Sequence, residues 1–160
     1  MKPQQWVGLL LVELLLAGLG VLTLVARPAG FGPDPNPLLV LLAGWMLIGW
    51  LTPLVLIDLD QLWLPEPLCR WGLLCGLALT AVIGGLQGSA SVSRLLLEHL
   101  LAVALGLLGF EATSWFASRL FGRPALGLGD AKLAALIGAW LGPLGLGLAV
   151  AVAVFSGALV

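Results

Sequence analysis

The sequence has few charged residues and few of the side chains that enzymes commonly use. Only 9% of its 160 residues are Asp, Glu, Lys or Arg, and it contains one histidine, two cysteines and no tyrosine. A soluble domain of this length needs more polar surface, so the composition excludes an ordinary soluble protein. The formal net charge is -1 and no basic cluster is visible, so we expect no nucleic-acid partner.

The scarcity of cysteine and histidine argues against the usual metal centres and nucleophilic triads. Cys69 and Cys75 stand in an apolar run at a spacing that matches neither a CxxC pair nor a zinc set, so we expect reduced packing residues. His99 has no ligand partner at metal-site spacing, and we expect it to lie with Glu98 at a membrane interface. Neither a GxSxG nor an HExxH motif is present. We therefore expect no metal ion and no cofactor.

Long apolar runs make up most of the chain, and 61% of its residues are hydrophobic. The runs do not alternate with a period of two, so they indicate helices rather than a β-barrel. A run of about 20 residues is long enough to cross a bilayer as a helix. We predict spans at about 6–25, 38–57, 68–86 and 94–121. After residue 130, either one kinked helix continues to about 154, or a short helix precedes a span that the chain end cuts off. The sequence thus predicts an all-α, polytopic integral membrane helical bundle with about five to six spans.

A polar break, GLGDAK at 127–132, separates two of the apolar runs. Gly127 and Gly129 permit a sharp turn and the close approach of another backbone. An ionisable group at the mouth of a membrane helix is costly to desolvate, which makes Asp130 a candidate functional residue. Asp is also a preferred N-cap, so Asp130 could simply cap the helix that follows. Lys132 could tune Asp130, contact lipid phosphate, or be solvated.

A second acidic pair, Asp58 and Asp60, follows the span that ends near residue 57. Pro65 and Pro67 disfavour helical geometry in the residues before them, so we expect a short extended loop here. In such a loop the two carboxylates share a face. On a helix they point in different directions, and only one of them can pair with a carboxylate from another segment. A divalent cation bound by both is an alternative.

The Asp58 and Asp130 loops are separated by two predicted spans, so both emerge on one side of the membrane. Five of the seven basic residues fall on that side: Lys2, Arg70, Arg119, Arg123 and Lys132. The positive-inside rule makes this the cytoplasmic side. Two carboxylates a few Å apart cannot both ionise easily, so one can activate a water while the other, protonated, polarises a carbonyl. The pattern suits peptide hydrolysis by water.

Two further carboxylates, Glu13 and Glu111, fall inside predicted spans, where an ionisable group needs a partner or a wet cavity. For Glu13 we favour a hydrogen bond between helices. For Glu111 we favour a structural or pocket-polarity role over a primary catalytic one.

The two acidic segments together resemble a known family. The segment 127–133 resembles the GxGD block of type IV prepilin peptidases, and so do the residues that follow it, Ala135, Gly138, Ala139, Trp140 and Gly142. Asp58-Leu59-Asp60, with Pro65 seven residues after Asp58, resembles the first aspartate motif of the same family. The resemblance implies that Asp58 and Asp130 are catalytic. We expect five other residues to bind substrate or support the site: Asp60, Gly127, Gly129, Lys132 and Glu111.

The resemblance implies an aspartic endopeptidase that removes a basic leader peptide from prepilin- or pseudopilin-like substrates of type IV pilus or type II secretion systems. Cleavage is expected after a glycine on the cytoplasmic side of the inner (plasma) membrane, which the protein crosses several times. The expected partners are the leader peptide and the lipid bilayer, with a homo-oligomer or a partner chain left open.

Many family members also carry an N-terminal cytoplasmic domain with paired CxxC motifs and methylate the new N terminus. Such motifs are absent from this sequence, so we expect a single transmembrane peptidase domain over 1–160, without methyltransferase activity or zinc. Two alternatives stay open. One is a catalytically inactive pilin-assembly or leader-binding membrane protein. The other is a small proton or cation conduit lined by Glu13, Glu111 and the loop aspartates.

Overall fold

The structure is a computed structural model that describes residues 37–61, 64–121 and 128–157. Four α-helices account for nearly all of these residues: α1 Pro37–Gln61, α2 Glu66–Gln87, α3 Ser89–Phe121 and α4 Leu128–Gly157. Each is long and apolar enough to cross a membrane. The prediction of an all-α, polytopic membrane bundle is confirmed, with four spans in this part of the chain. The predicted span at 6–25, including Glu13, lies outside the described residues.

Helices α2 and α4 run parallel to each other. Gly72 lies against Leu136, and Gly76, one turn later in α2, lies against Trp140, one turn later in α4. The contacts therefore advance in the same direction along both helices. Since both helices start at the same end, the connection before α2 and the connection before α4 also lie at that end of the bundle.

Helices α3 and α4 are antiparallel and approach each other backbone to backbone. A Cβ atom added to Gly106 would lie 2.9 Å from the carbonyl carbon of Ala134, and one added to Gly138 would lie 2.8 Å from that of Ala102. Two helices can come this close only where the facing residues are small. Gly106 and Gly138 are thus required by packing, and they fix the position of α4 along α3.

The main core lies among α1, α2 and α4. It is built from seven buried residues: Leu47, Leu51, Leu54, Cys69, Leu136, Ala139 and Trp140. Two indole groups tie the helices together in this region. Nε1 of Trp50 donates to the Leu68 carbonyl at 3.0 Å, and Nε1 of Trp140 donates to the Gly72 carbonyl at 2.8 Å. Polar anchors of this kind fix helix position more specifically than apolar contact does.

The connection between α2 and α3 is a single residue, Gly88, with a φ of 118°. Because a glycine reaches positive φ without steric cost, the chain reverses there with no loop. The spans predicted at 68–86 and 94–121 are therefore longer than expected, and the serines between them are helical.

Helix α4 resolves the alternatives for the last segment in favour of one kinked helix. It runs to Gly157 and is broken at Gly142, which has a φ of 67°. Pro143 follows and has no N–H for an intrahelical hydrogen bond. A Gly-Pro pair is a recognised cause of a sharp helix kink.

Candidate active site

Asp58 and Asp60 lie in the last turn of α1, which continues to Gln61. The prediction of an extended loop at these two residues is wrong. Pro65 restricts only the residue before it, and Pro67 is tolerated in the first turn of α2. Residues two apart on a helix point about 200° apart. Accordingly, Asp58 is partly buried and Asp60 is exposed.

Asp130 is exposed and lies in the first turn of α4, whose first helical residue is Leu128. It therefore does not occupy the N-cap position of a helix that begins at the next residue. A carboxylate in a first turn still interacts favourably with the partial positive charge of the helix N-terminus. Gly127 lies outside the described residues.

Two contacts join the connection between α1 and α2 to the start of α4. Gly129 packs against Leu64, since a Cβ atom at this glycine would lie 3.3 Å from Cδ1 of Leu64. Nζ of Lys132 lies 3.6 Å from Oε2 of Glu66. Gly129 and Lys132 flank Asp130, so the segment that follows the α1 aspartates touches the segment that contains Asp130.

The ion pair of Lys132 and Glu66 is largely open to solvent, with side-chain exposures of 37% and 61%. An exposed pair of this kind contributes at most about 1 kcal/mol to stability, so it holds the two segments together only weakly. Its main consequence is local charge. This end of the bundle carries the carboxylates of Asp58, Asp60, Glu66 and Asp130 and also the basic side chains of Arg70 and Lys132, so it presents charges of both signs.

Glu111 is exposed on α3. The antiparallel pairing of Gly106 with Ala134, extended by one turn, brings Asp130 level with the region of Glu111. The two carboxylates are thus at a similar height in the bundle, on different helices. A supporting role for Glu111 stays a prediction.

His99 is fully buried, whereas Glu98 pairs with Arg94 on the outer face of α3 at 3.0 Å. The expectation that His99 lies at an interface is wrong, because the face of α3 that contains it packs on α2 and α4. Its Nδ1 lies 2.9 Å from the carbonyl oxygen of Ala139 and 3.2 Å from Oγ1 of Thr80.

The two cysteines are free thiols, with Cys69 in the core and Cys75 partly buried. Among residues 37–61, 64–121 and 128–157, no three His, Cys, Asp or Glu side chains are grouped so that they could hold a metal ion.

The fold and this charged end define a multi-pass helical membrane protein in which the carboxylates of three helices gather at one end. Comparison with known families gives the class more closely. Residues 45–160 match the model of the type IV leader peptidase family. Because the match covers well over half of the chain, the protein belongs to this family, and the resemblance read from the two aspartate motifs is confirmed.

Curated relatives match most of the chain. The type 4 prepilin-like proteins leader peptide-processing enzyme of Escherichia coli O78:H11 (strain H10407 / ETEC) is 35% identical over 106 residues, which are 66% of this chain and 36% of that protein. The prepilin leader peptidase/N-methyltransferase of Aeromonas hydrophila is 34% identical over 132 residues, or 82% and 40%. The chain spans two fifths or less of the length of these relatives. No solved structure matches the chain.

Proposed function

We propose that this protein is a membrane aspartic endopeptidase that removes the basic leader of prepilin- or pseudopilin-like substrates. Cleavage follows a glycine, at the cytoplasmic face of the inner membrane. Asp58 and Asp130 are the proposed catalytic pair. The observation that carries the proposal is the contact of their two segments at one end of the bundle, through Gly129 with Leu64 and Lys132 with Glu66.

Family membership supports the reaction class, since the relatives are named as leader peptidases that act on prepilins or prepilin-like proteins. The proposal is confined to the peptidase reaction. The matched region is 40% of the Aeromonas hydrophila relative, which is named as an N-methyltransferase as well as a peptidase, and the cysteines of this chain form no CxxC pair.

In the proposed reaction the carboxyl pair shares one proton when the substrate binds. The ionised carboxylate takes a proton from a water molecule, whose oxygen attacks the carbonyl carbon of the leader glycine. The protonated partner donates a hydrogen bond to the carbonyl oxygen and then gives its proton to the leaving amide nitrogen. One water is consumed, the C–N bond breaks, and a leader carboxylate and a new N-terminal amine are released.

Of the two α1 aspartates, Asp58 is the better candidate for this pair. It is partly buried and Asp60 is exposed, and their side chains diverge on the helix. We assign to Asp60, together with the exposed Glu111, an attraction for the basic leader rather than proton transfer.

The residues around Asp130 are proposed to support it. Gly129 has no side chain, which leaves room for Leu64, and the pair of Lys132 with Glu66 adds a weak electrostatic link. Gly127 lies outside the described residues and stays a predicted supporting residue. Arg70, Arg119 and Lys132 lie toward this end of α2, α3 and α4, and Arg94 lies toward the other end of α3, which favours the cytoplasmic side.

The test is cleavage of a prepilin-like substrate by the full chain purified into liposomes. Asp58→Asn and Asp130→Asn keep the size and polarity of the side chains but cannot exchange a proton. Each should reduce cleavage by about 10²–10⁴-fold, the usual contribution of general acid–base catalysis. The matched control is Asp60→Asn, which should keep kcat and raise only KM, since the role assigned to Asp60 is attraction of the basic leader.

Other outcomes identify the alternatives. A wild-type protein that binds the leader without cutting it would indicate a leader-binding or assembly protein. Proton or cation flux in the same liposomes, without cleavage, would indicate a conduit. An Asp60→Asn variant as inactive as Asp58→Asn would contradict the assignment within α1.

A further inference from the structure

A buried polar cluster lies at the kink of α4, and the proposed reaction does not use it. His99 of α3 has 0% exposure, and its Nδ1 lies 2.9 Å from the carbonyl oxygen of Ala139 in α4. Oγ1 of Thr80 in α2 lies 3.2 Å from the same nitrogen. Three helices thus meet at one imidazole.

The carbonyl of Ala139 has a particular reason to need a donor from another helix. In a regular α-helix the carbonyl of residue i accepts a hydrogen bond from the N–H of residue i+4. For Ala139 that residue is Pro143, which lies beyond the break at Gly142 and has no N–H. A buried carbonyl left without a donor is destabilising, and more so in a membrane. His99 is placed to supply the donor that is missing at the break.

The chemistry of the cluster fixes the direction of these hydrogen bonds. A carbonyl oxygen can only accept, so Nδ1 of His99 must carry the hydrogen that it shares with Ala139. The hydroxyl of Thr80 donates to the Gly76 carbonyl at 3.0 Å. Its oxygen lone pairs are therefore the part that faces the imidazole N–H. The donor is held between two acceptors, which sets the orientation of the ring.

The same turn of α4 has two other attachments. Gly138 packs on the backbone of Ala102 in α3, and Trp140 donates to the Gly72 carbonyl in α2. Three successive residues before the kink are therefore fixed to the neighbouring helices. Asp130 lies nine residues earlier, about 14 Å along the axis of the same uninterrupted half-helix.

We propose that His99 is a positioning residue for Asp130. By hydrogen bonding the Ala139 carbonyl beside the break, it fixes the height and rotation of the N-terminal half of α4, residues 128–141, against α2 and α3. The inference rests on the proposed function only in that Asp130 is taken as catalytic. Misplacement of a catalytic group by about 1 Å can reduce a rate by about 10²-fold, so a distant anchor can control the reaction.

The hydrogen bond itself is tested without reference to activity, by thermal unfolding of the full chain in detergent. The variants are His99→Leu, which removes the donor, and His99→Asn, whose amide N–H replaces it. His99→Leu should lower Tm by several degrees, and His99→Asn should recover most of that loss. An Asn variant as destabilised as the Leu variant would overturn the role assigned to His99.

The positioning role is tested by leader cleavage at a temperature where each variant is folded. His99→Leu should lower kcat by about 10–100-fold with KM within about twofold of wild type. His99→Asn places an amide N–H near the position of Nδ1 and should recover most of kcat. The matched control is Glu98→Gln, the adjacent residue on the outer face, which should leave both constants unchanged.

The two proposals fail separately. If the wild type does not cut, the proposed function fails, and the unfolding experiment still decides the hydrogen bond. If the wild type cuts and His99→Leu keeps its kcat, or His99→Asn recovers none of a lost kcat, His99 does not position Asp130. If His99→Leu does not fold, the Asn variant is compared with the wild type in both experiments.

Discussion

The packing of α3 on α4 predicts that one substitution, Gly to Ala, has opposite effects at two positions one turn apart. At Gly106 a new Cβ atom would meet only backbone, at 2.9 Å from the Ala134 carbonyl carbon and from the Ala135 amide nitrogen. At Gly109 nothing lies within 4 Å. Both residues are inside α3, so the gain in helix propensity is the same at each, and only the contact differs.

The magnitudes follow from these distances. Ordinary contact begins at 3.4 Å, so Gly106→Ala must displace α4 by about 0.5 Å, and backbone cannot move aside as a side chain can. Overpacking of this kind costs about 1–3 kcal/mol. Gly109→Ala meets no contact and should gain up to about 1 kcal/mol from helix propensity.

The assay is thermal unfolding of the purified chain in one detergent, followed by helical circular dichroism. A change of 1 kcal/mol shifts Tm by about 2–4 °C in a chain of this size. We expect Tm to fall by several degrees for Gly106→Ala and to stay level or rise slightly for Gly109→Ala. A fall of equal size at both positions, or a neutral Gly106→Ala, would refute the close approach of α3 and α4.

Two further predictions concern a hydrogen bond between helices and the turn between α2 and α3. Trp140→Phe keeps most of the buried ring but removes the donor to the Gly72 carbonyl. Stability should therefore fall by about 1–2 kcal/mol in the same unfolding assay. An unchanged Tm would contradict that hydrogen bond. Gly88→Ala should destabilise the protein by about 1–2 kcal/mol, because φ is 118° there although the space around the residue is open. Gly85→Ala, in the adjoining helix with equally open space, should not destabilise it. Equal effects of the two substitutions would argue against the one-residue turn.

The helices were the most predictable part of the molecule. Apolar runs at 38–57 and 68–86 anticipated α1 and α2 to within four residues at each end, because a span must satisfy its own backbone in lipid whatever its neighbours are. The sequence also predicted that the two aspartate segments lie on the same side of the membrane, because two spans separate them. The parallel packing of α2 and α4 brings their starting ends together as that count requires.

Local sequence rules failed where a short segment could adopt either of two structures. The prolines at 65 and 67 suggested a loop around Asp58, yet their restrictions reach only the residues beside them, and the apolar helix continues past Asp60. The gap left between the spans predicted at 68–86 and 94–121 is helical except at Gly88, because one glycine with positive φ was enough to reverse the chain.

The burial of His99 could not be read from its own surroundings in the sequence. Its neighbours Arg94 and Glu98 form an exposed ion pair one turn apart, which suggests a surface helix. The signal was 44 residues away, in Pro143, which leaves the Ala139 carbonyl without its intrahelical donor. Only the packing of α3 on α4 shows which donor meets that carbonyl.

The kink divides α4 into two halves with different surroundings, and this bears on how the site is held. From Ala131 to Gly142 every residue is buried or partly buried, whereas most residues from Pro143 to Phe155 are exposed. An apolar residue exposed on a membrane span faces lipid, which places little constraint on its shape. The position of Asp130 therefore depends mainly on the first half, where small residues, an indole and an imidazole attach α4 to two other helices. In the second half Leu146 is buried in a cluster with Ala102 and Ala134, whereas the exposed positions face lipid and are free to vary among apolar residues.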